Sequence, residues 1–210
     1  GRTETLRAIF GADPIDGGTI TIKGKQVHIK TPRQAIQHGI AFLTEDRKGQ
    51  GLVLAQSIRT NLILANMKGF SSGLFLNEKK IEDAGQKNIA SLRIKTPSID
   101  EIVGQLSGGN QQKVVIGKWV NTDADIFIFD EPTRGIDVGA KVEVYNVMNS
   151  LVKQGKCVIM VSSEMPEILG MSDRVIVMRG GEVMAEVDRD SEHFNQEDLM
   201  KAAWGGKLDD

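Results

Sequence analysis

DADIFIFDEPTRGID, Asp123 to Asp137, holds a short apolar run that ends in two adjacent acids and then breaks into a turn. The run IFIF, Ile126 to Phe129, suits a strand buried on both faces, as the strands of a parallel sheet are. Such a strand places Asp130 and Glu131 at the carboxyl edge of the sheet, where open α/β folds bind their ligands. An aspartate there can hold Mg²⁺ through water, and a neighbouring glutamate can orient or deprotonate an attacking water. Two acids that cap the next helix would explain either residue alone. They would not explain the order of this stretch relative to the one before it.

That preceding stretch is LSGGNQQKVVIGKW, Leu106 to Trp119. A serine and two glycines lead into a helical run, which leaves unobstructed backbone N–H groups at a helix N-terminus. Donors and helix dipole then point the same way, and the end binds anions. A plain glycine-rich turn capping a helix is the other reading of Ser107-Gly108-Gly109 taken alone.

Working outward, GGTITIKGKQVHI, Gly17 to Ile29, alternates apolar and polar on both sides of Lys23-Gly24-Lys25 and reads as a β-hairpin. TPRQAIQHG follows as a short helix with Thr31 as N-cap, Pro32 in its first position and Gly39 as its stop. Ile40 to Thr44 is a strand that runs into the charged, glycine-broken loop EDRKGQG. From Leu52 to about Gln105 the pattern is mostly helical, so residues 46–119 are taken as a helical subdomain carrying LSGG. Beyond Asp137, VGAKVEVYNVMNSLVKQG reads as an amphipathic helix with Val138, Val142, Tyr145, Met148 and Val152 on one face. KCVIMVSS is a strand, PEILGMS a short helix, DRVIVMRGGEVMAEV a hairpin turning at Gly180-Gly181, and NQEDLMKAAWGG a terminal helix. Alternating strands and helices imply a parallel sheet.

Composition narrows the class. The chain has 210 residues and a formal net charge of −2, with 26 Lys and Arg against 28 Asp and Glu. No basic stripe stands out, which argues against a nucleic-acid partner. The apolar runs are strand-sized, short of the ~20 residues of a membrane span, and no signal-peptide pattern opens the chain. Cys157 lies inside the apolar run CVIMV and is expected to be a buried thiol in a reducing compartment.

LSGGNQQK followed by IFIFDEPTRGID resembles the ATP-binding domain of ABC transporters, and the resemblance covers almost the whole chain. EDRKGQGL, IKTPS (Ile94 to Ser98), DEPTRGIDVGAK and SSEMPEILGMSDR are similar to the C-terminal half of the tandem ATPases that energise bacterial uptake of ribose- and galactose-type sugars. The resemblance implies a P-loop NTPase fold of the α/β class: a parallel-sheet core, a small antiparallel β region and the helical subdomain. It implies ATP and Mg²⁺ as cofactors. Ser107, Gly108, Gly109, Asn110 and Gln111 would cover ATP held by a partner half, Asp130 would hold Mg²⁺, Glu131 would position the water, and Asp137 would lie across the dimer seam.

In the same alignment GRTET, Gly1 to Thr5, gains a meaning beyond that of an exposed terminus. Gly1, Arg2 and Thr3 match the last three residues of a P-loop, with Thr3 beside Mg²⁺ and the helix starting at Glu4, so the strand and front half of the loop are expected to be missing from residues 1–210. Three positions depart from the family pattern. Arg2 stands for the P-loop lysine, Glu45 for a glutamine and Ser163 for the switch histidine. Arginine lacks the compact geometry of lysine, Glu45 adds negative charge near phosphate, and Ser163 has no imidazole to offer. The expected picture is a sugar-import ATPase subunit whose own site is degenerate and which supplies LSGG to another site, the isolated chain being inactive. Its partners would be the N-terminal half or a second copy, transmembrane permease subunits and, indirectly, a sugar-binding protein. Its place would be cytoplasmic, peripheral on the inner face of the cell membrane. Two alternatives stand beside it: a non-catalytic regulatory or docking module, and an ABC-type ATPase acting on nucleic acid or ribosomes.

Overall fold

The computed structural model describes residues 1–208. Helix α1 (Arg2–Ile9) opens the chain and is followed by the hairpin β1 (Ile20–Ile22) and β2 (Lys25–Val27). Lys23 and Gly24 both have positive φ, 51° and 76°, as a two-residue turn matched to the strand twist demands. Helix α2 (Pro32–Gln37) is capped by the Thr31 side chain, which accepts from the Gln34 N–H, and leads to β3 (Ile40–Leu43). A π-helical turn spans Arg47–Gly51, with the Asp46 carboxylate accepting from Gly49 N–H. Then come α3 (Ile58–Ile63), a two-strand ribbon of β4 (Ser71–Ser72) and β5 (Phe75–Leu76), α4 (Glu78–Ser91) and α5 (Gly108–Val120). The last third holds β6 (Ile126–Asp130), α6 (Val138–Lys153), β7 (Cys157–Val161), α7 (Met165–Met171), the hairpin β8 (Arg174–Arg179) and β9 (Glu182–Asp188), and α8 (Gln196–Ala203).

Strands β3, β6 and β7 form a parallel sheet in the order β3-β6-β7, with Phe42 opposite Ile128 and Ile128 opposite Ile159. The IFIF run is its central strand, and Ile128 and Phe129 are fully buried, each such side chain contributing roughly 1.5–3 kcal/mol. Helices α3 and α5 share this core through Ile58, Leu62, Val114, Val115 and Ile116, so the mostly helical segment packs on the sheet that carries the acids. A second, smaller core lies between the β8–β9 hairpin and α8, around Val175, Val187 and Leu199.

Two expectations are corrected here. Cys157 is exposed: it begins β7, the outer strand of the three, whose second edge pairs with no strand among the described residues. Helix α6 buries Ala140, Val144, Met148 and Leu151, while Val138 (78 % exposed), Val142 (51 %) and Val152 (49 %) face outward. The helical period admits either apolar stripe. The close approach of α5 selects the one with Ala140, the residue small enough to sit against Gly109.

Candidate functional site

At the carboxyl edge of the sheet, the end of β6 meets the start of α1. Asp130 is 1 % exposed. Its Oδ1 accepts a hydrogen bond from Thr3 Oγ1 at 3.3 Å, and its Oδ2 is buried with no partner. Burial, reinforced by the neighbouring Glu131 charge, raises the pKa of this carboxyl, and the Thr3 hydrogen bond only partly offsets it. Glu131 has left the strand in the left-handed region, φ 49°, a conformation that costs on the order of 1–3 kcal/mol and is held by the bond from its N–H to Val161 O, 2.9 Å. Its carboxylate accepts from Ser163 Oγ at 3.0 Å and faces Arg2 Nη2 at 3.9 Å. Arg2 also donates through Nη1 to the carbonyl of Ser162, 2.8 Å. Arg2, Thr3, Asp130, Glu131 and Ser163 therefore meet in one group, although they come from three well-separated parts of the chain. Helix α1 begins at Arg2 with Gly1 as its N-cap, two residues earlier than expected.

Beneath this group lies a residue that sequence reasoning missed. Glu167, 4 % exposed, takes the hydroxyls of Thr133 and Tyr145 on Oε1 (Tyr145 at 2.6 Å) and that of Ser162 on Oε2 at 2.6 Å. Lys141 Nζ stands 3.8 Å away. Burial alone would raise the Glu167 pKa, but the hydrogen bonds from Ser162, Thr133 and Tyr145 hold it below the ordinary range. One carboxylate thus ties together the turn after β6, helix α6, the end of β7 and its own helix α7.

A second group forms where α5 begins. Ser107 is the N-cap of α5 and is exposed. Space dictates the second of the two glycines that follow and crowds the first. A Cβ on Gly108 would lie 2.8 Å from Arg47 Nη2 and 3.3 Å from Gly135 O, and one on Gly109 would lie 2.6 Å from Ala140 Cβ. Asp137 caps α6 by accepting from Ala140 N–H at 3.0 Å, close to Gly109. Arg47, also unforeseen, donates to the carbonyls of Arg134 (3.1 Å) and Gly135 (3.3 Å), pinning the turn after β6 against the π-helical turn. Asn110 sits between Ser107 and Lys95, bonded to both.

Ser107, Gly108, Gly109, Asn110 and Asp137 are brought together, but on neighbours different from those of Arg2 and Asp130. The Gln111 side chain does not join them: it is buried and donates to Val103 O at 3.2 Å, because its position on α5 faces the core. Glu45 forms an ion pair with Arg134, and no bond joins it to Thr3 or Asp130 among the described residues.

A groove of about 310 Å³ opens beside the π-helical turn, lined by residues that include Val53, Leu64, Ala65, Lys118 and Trp119. Lys118 is buried, donates to Gly51 O at 2.6 Å and stands 5.2 Å over the Trp119 ring, and burial lowers its pKa to about 8. Among the described residues no helix is long and apolar enough to cross a membrane.

Comparison with known proteins shows what this chain is similar to. A protein from Rhizobium etli named as a putative ribose/galactose/methyl galactoside import ATP-binding protein is 50% identical over 206 residues, covering 98% of this chain and 39% of its own length. A ribose import ATP-binding protein from Geobacillus kaustophilus is 52% identical over 206 residues, with 98% of this chain and 41% of its own length covered. The chain therefore spans about two fifths of the length of these relatives. The fold is that of an ATP-binding cassette of an ABC transporter solved in its ADP conformation, with a TM-score of 0.76 at 21% identity over 98% of this chain and 80% of that one. A dimeric cassette bound to ADP and Pi matches with a TM-score of 0.76 at 19% identity, over 91% of this chain and 82% of its own. A family model described as ABC transporter matches residues 1–134, a span that takes in Arg2 and Thr3, the glycines of α5, Asp130 at the end of β6 and Glu131 just after it. The chain belongs to the ABC transporter family, as an ATP-binding domain.

Proposed function

We propose that this chain is part of an ATP-hydrolysing subunit that powers uptake of a simple sugar through a bacterial ABC transporter, acting as the C-terminal half of a tandem ATPase. The names of its relatives support the sugar-import role, and their extra length leaves room for a partner half. In this reading the edge formed by Ser107, Gly108, Gly109 and Asn110 closes over ATP bound by the partner, with Asp137 at the seam between the two. Transmembrane permease subunits dock in the groove between Val53 and Leu64, a sugar-binding protein delivers the solute, and the protein sits on the cytoplasmic face of the membrane.

The chain's own site is the weaker one. Asp130 and Thr3 present hard oxygen donors, and the unpartnered buried Oδ2 of Asp130 fits Mg²⁺, which when bound would neutralise phosphate charge there. Glu131 is the residue that would orient the attacking water. One of its oxygens accepts from Ser163 Oγ at 3.0 Å, and the other faces the Arg2 guanidinium at 3.9 Å, an ion-pair distance beyond hydrogen-bond reach. This contact of Arg2 with the water-orienting carboxylate is the observation that carries the assignment. A guanidinium held to Ser162 O and turned toward Glu131 would have to leave both to reach a phosphate, and its planar fork does not reproduce the compact contact of a lysine. Alone, the chain would hydrolyse ATP slowly, since its better half-site needs a partner. The test is ATP turnover by the full-length protein carrying Ser107→Arg. Turnover is expected to collapse, and near-normal hydrolysis would overturn the proposal.

A further inference from the structure

We infer that Asn110 is a positioning residue that fixes the hydroxyl of Ser107 as a hydrogen-bond donor toward the nucleotide. The inference rests on the reading above, in which Ser107 meets a phosphate held by the partner half.

An N-cap side chain ordinarily accepts a hydrogen bond from the backbone N–H three residues on. Thr31, Ser57, Asn77, Asp137 and Asn195 all do so at their helices. Ser107 makes no such bond. The residue three positions on is Asn110, and its side chain substitutes for its backbone: Nδ2 donates to Ser107 Oγ at 2.9 Å. The other end of the amide accepts from Lys95 N–H at 2.9 Å. A backbone N–H can only donate, so Lys95 determines which end of the amide is oxygen and leaves the NH₂ facing Ser107. With one lone pair of Oγ occupied in this way, the Ser107 proton is kept off the Asn110 side and takes one of the two other staggered positions, on a residue that is exposed.

The consequence is a row of donors along this edge, beside the Asp137 carboxylate. The hydroxyl of Ser107 is turned away from Asn110, the N–H groups of the first turn of α5 receive no side-chain cap, and the helix dipole adds to both. Were Asn110 absent, Ser107 would revert to the usual cap, which takes an N–H away from the edge and leaves the hydroxyl proton unfixed. The stretch Ile94–Ser98 acquires a purpose as well. It is fastened to α5 at Lys95 through Asn110, and the residue just before it, Arg93, accepts from Lys113 Nζ at 2.8 Å. The segment that orients the Asn110 amide is thereby itself held in register.

The test is a double-mutant cycle on steady-state ATP hydrolysis by the full-length protein, with Ser107→Ala, Asn110→Ala and the pair together. In the parent, Asn110→Ala is expected to lower kcat/KM about tenfold, the scale of one oriented hydrogen bond. In the Ser107→Ala background it should change kcat/KM by less than about twofold, because the hydroxyl it orients is gone. Losses that multiply, or no loss from Asn110→Ala in the parent, would overturn the inference. An unaffected Ser107→Ala would instead overturn the underlying reading. If Asn110→Ala does not fold, Asn110→Asp replaces it. It keeps the acceptor for Lys95 but draws the Ser107 proton inward, so activity equal to the parent would overturn the inference and a loss confined to the Ser107 background would support it.

Discussion

Replacing Tyr145 by Phe removes one hydroxyl from the buried Glu167 carboxylate and nothing else of comparable size. The bond lost is 2.6 Å long and runs to an oxygen that Thr133 also serves, while Ser162 keeps the other oxygen and Lys141 remains 3.8 Å away. Hydrogen bonds to charged groups contribute about 1.5–3 kcal/mol, and the remaining donors soften the loss toward the lower end of that range. For a chain of this length each kcal/mol corresponds to about 2–4 °C in Tm, so a fall of roughly 3–6 °C is expected at neutral pH. The pH dependence has a definite sign. The folded pKa of Glu167 lies below its ordinary value of 4.5, so its stabilisation is fully present above that value and is lost as the pH falls through the lower, folded one. The cost of Tyr145→Phe should shrink over the same acidic window. Urea melts of both proteins at neutral and acidic pH, with Thr133→Val and the double variant alongside, measure all of this. Because Tyr145 and Thr133 share Oε1, the pair should depart from additivity. A cost below about 0.5 kcal/mol for Tyr145→Phe, or strict additivity, would refute the view of Glu167 as the tie between α6, α7 and the end of β7.

Lys118 and Gly109 offer two more tests. The Lys118 pKa of about 8, against an ordinary 10.5, means that stability rises from this group as the pH climbs between those values, since the unfolded chain then binds the extra proton. At about 1.4 kcal/mol per pH unit the rise is of order 3 kcal/mol, and Lys118→Met should abolish it in denaturant melts, whereas an unchanged pH profile would count against a buried cation. Gly109→Ala places a Cβ 2.6 Å from Ala140 Cβ and should destabilise by about 1–3 kcal/mol. Adding Ala140→Gly should recover part of that loss, and no recovery would mean that α5 and α6 do not meet there.

The fold was largely legible because its signals are local. The apolar run ending in Asp130, the Thr31-Pro32 start of α2 and the Gly180-Gly181 turn each lie within a few residues of the structure they produce. Helix α6 shows the limit of that approach: two apolar stripes satisfy one period, and the choice was made by α5, a separate segment. Cys157 shows it again, since an apolar run fixes a strand but not whether a neighbour covers it. The motifs offered residue types for a candidate site but not the connections among them. Glu167 draws on Thr133, Tyr145 and Ser162, Glu45 pairs with Arg134, and Asn110 depends on Lys95. Apart from Ser162, five residues from Glu167, these links join segments that only packing brings together, and no spacing within a single stretch announces them.

The claim that this chain completes a partner's site while its own is held back by Arg2 is tested most directly by comparing two substitutions in the full-length protein under one ATP hydrolysis assay. Ser107→Arg blocks the donor edge offered to the partner and should cost at least about a hundredfold in kcat, the scale of losing an oriented transition-state donor. Glu131→Gln alters only the carboxylate that accepts from Ser163 and faces Arg2 and should cost less than about tenfold. The reverse order, with Glu131→Gln abolishing turnover and Ser107→Arg tolerated, would contradict the account.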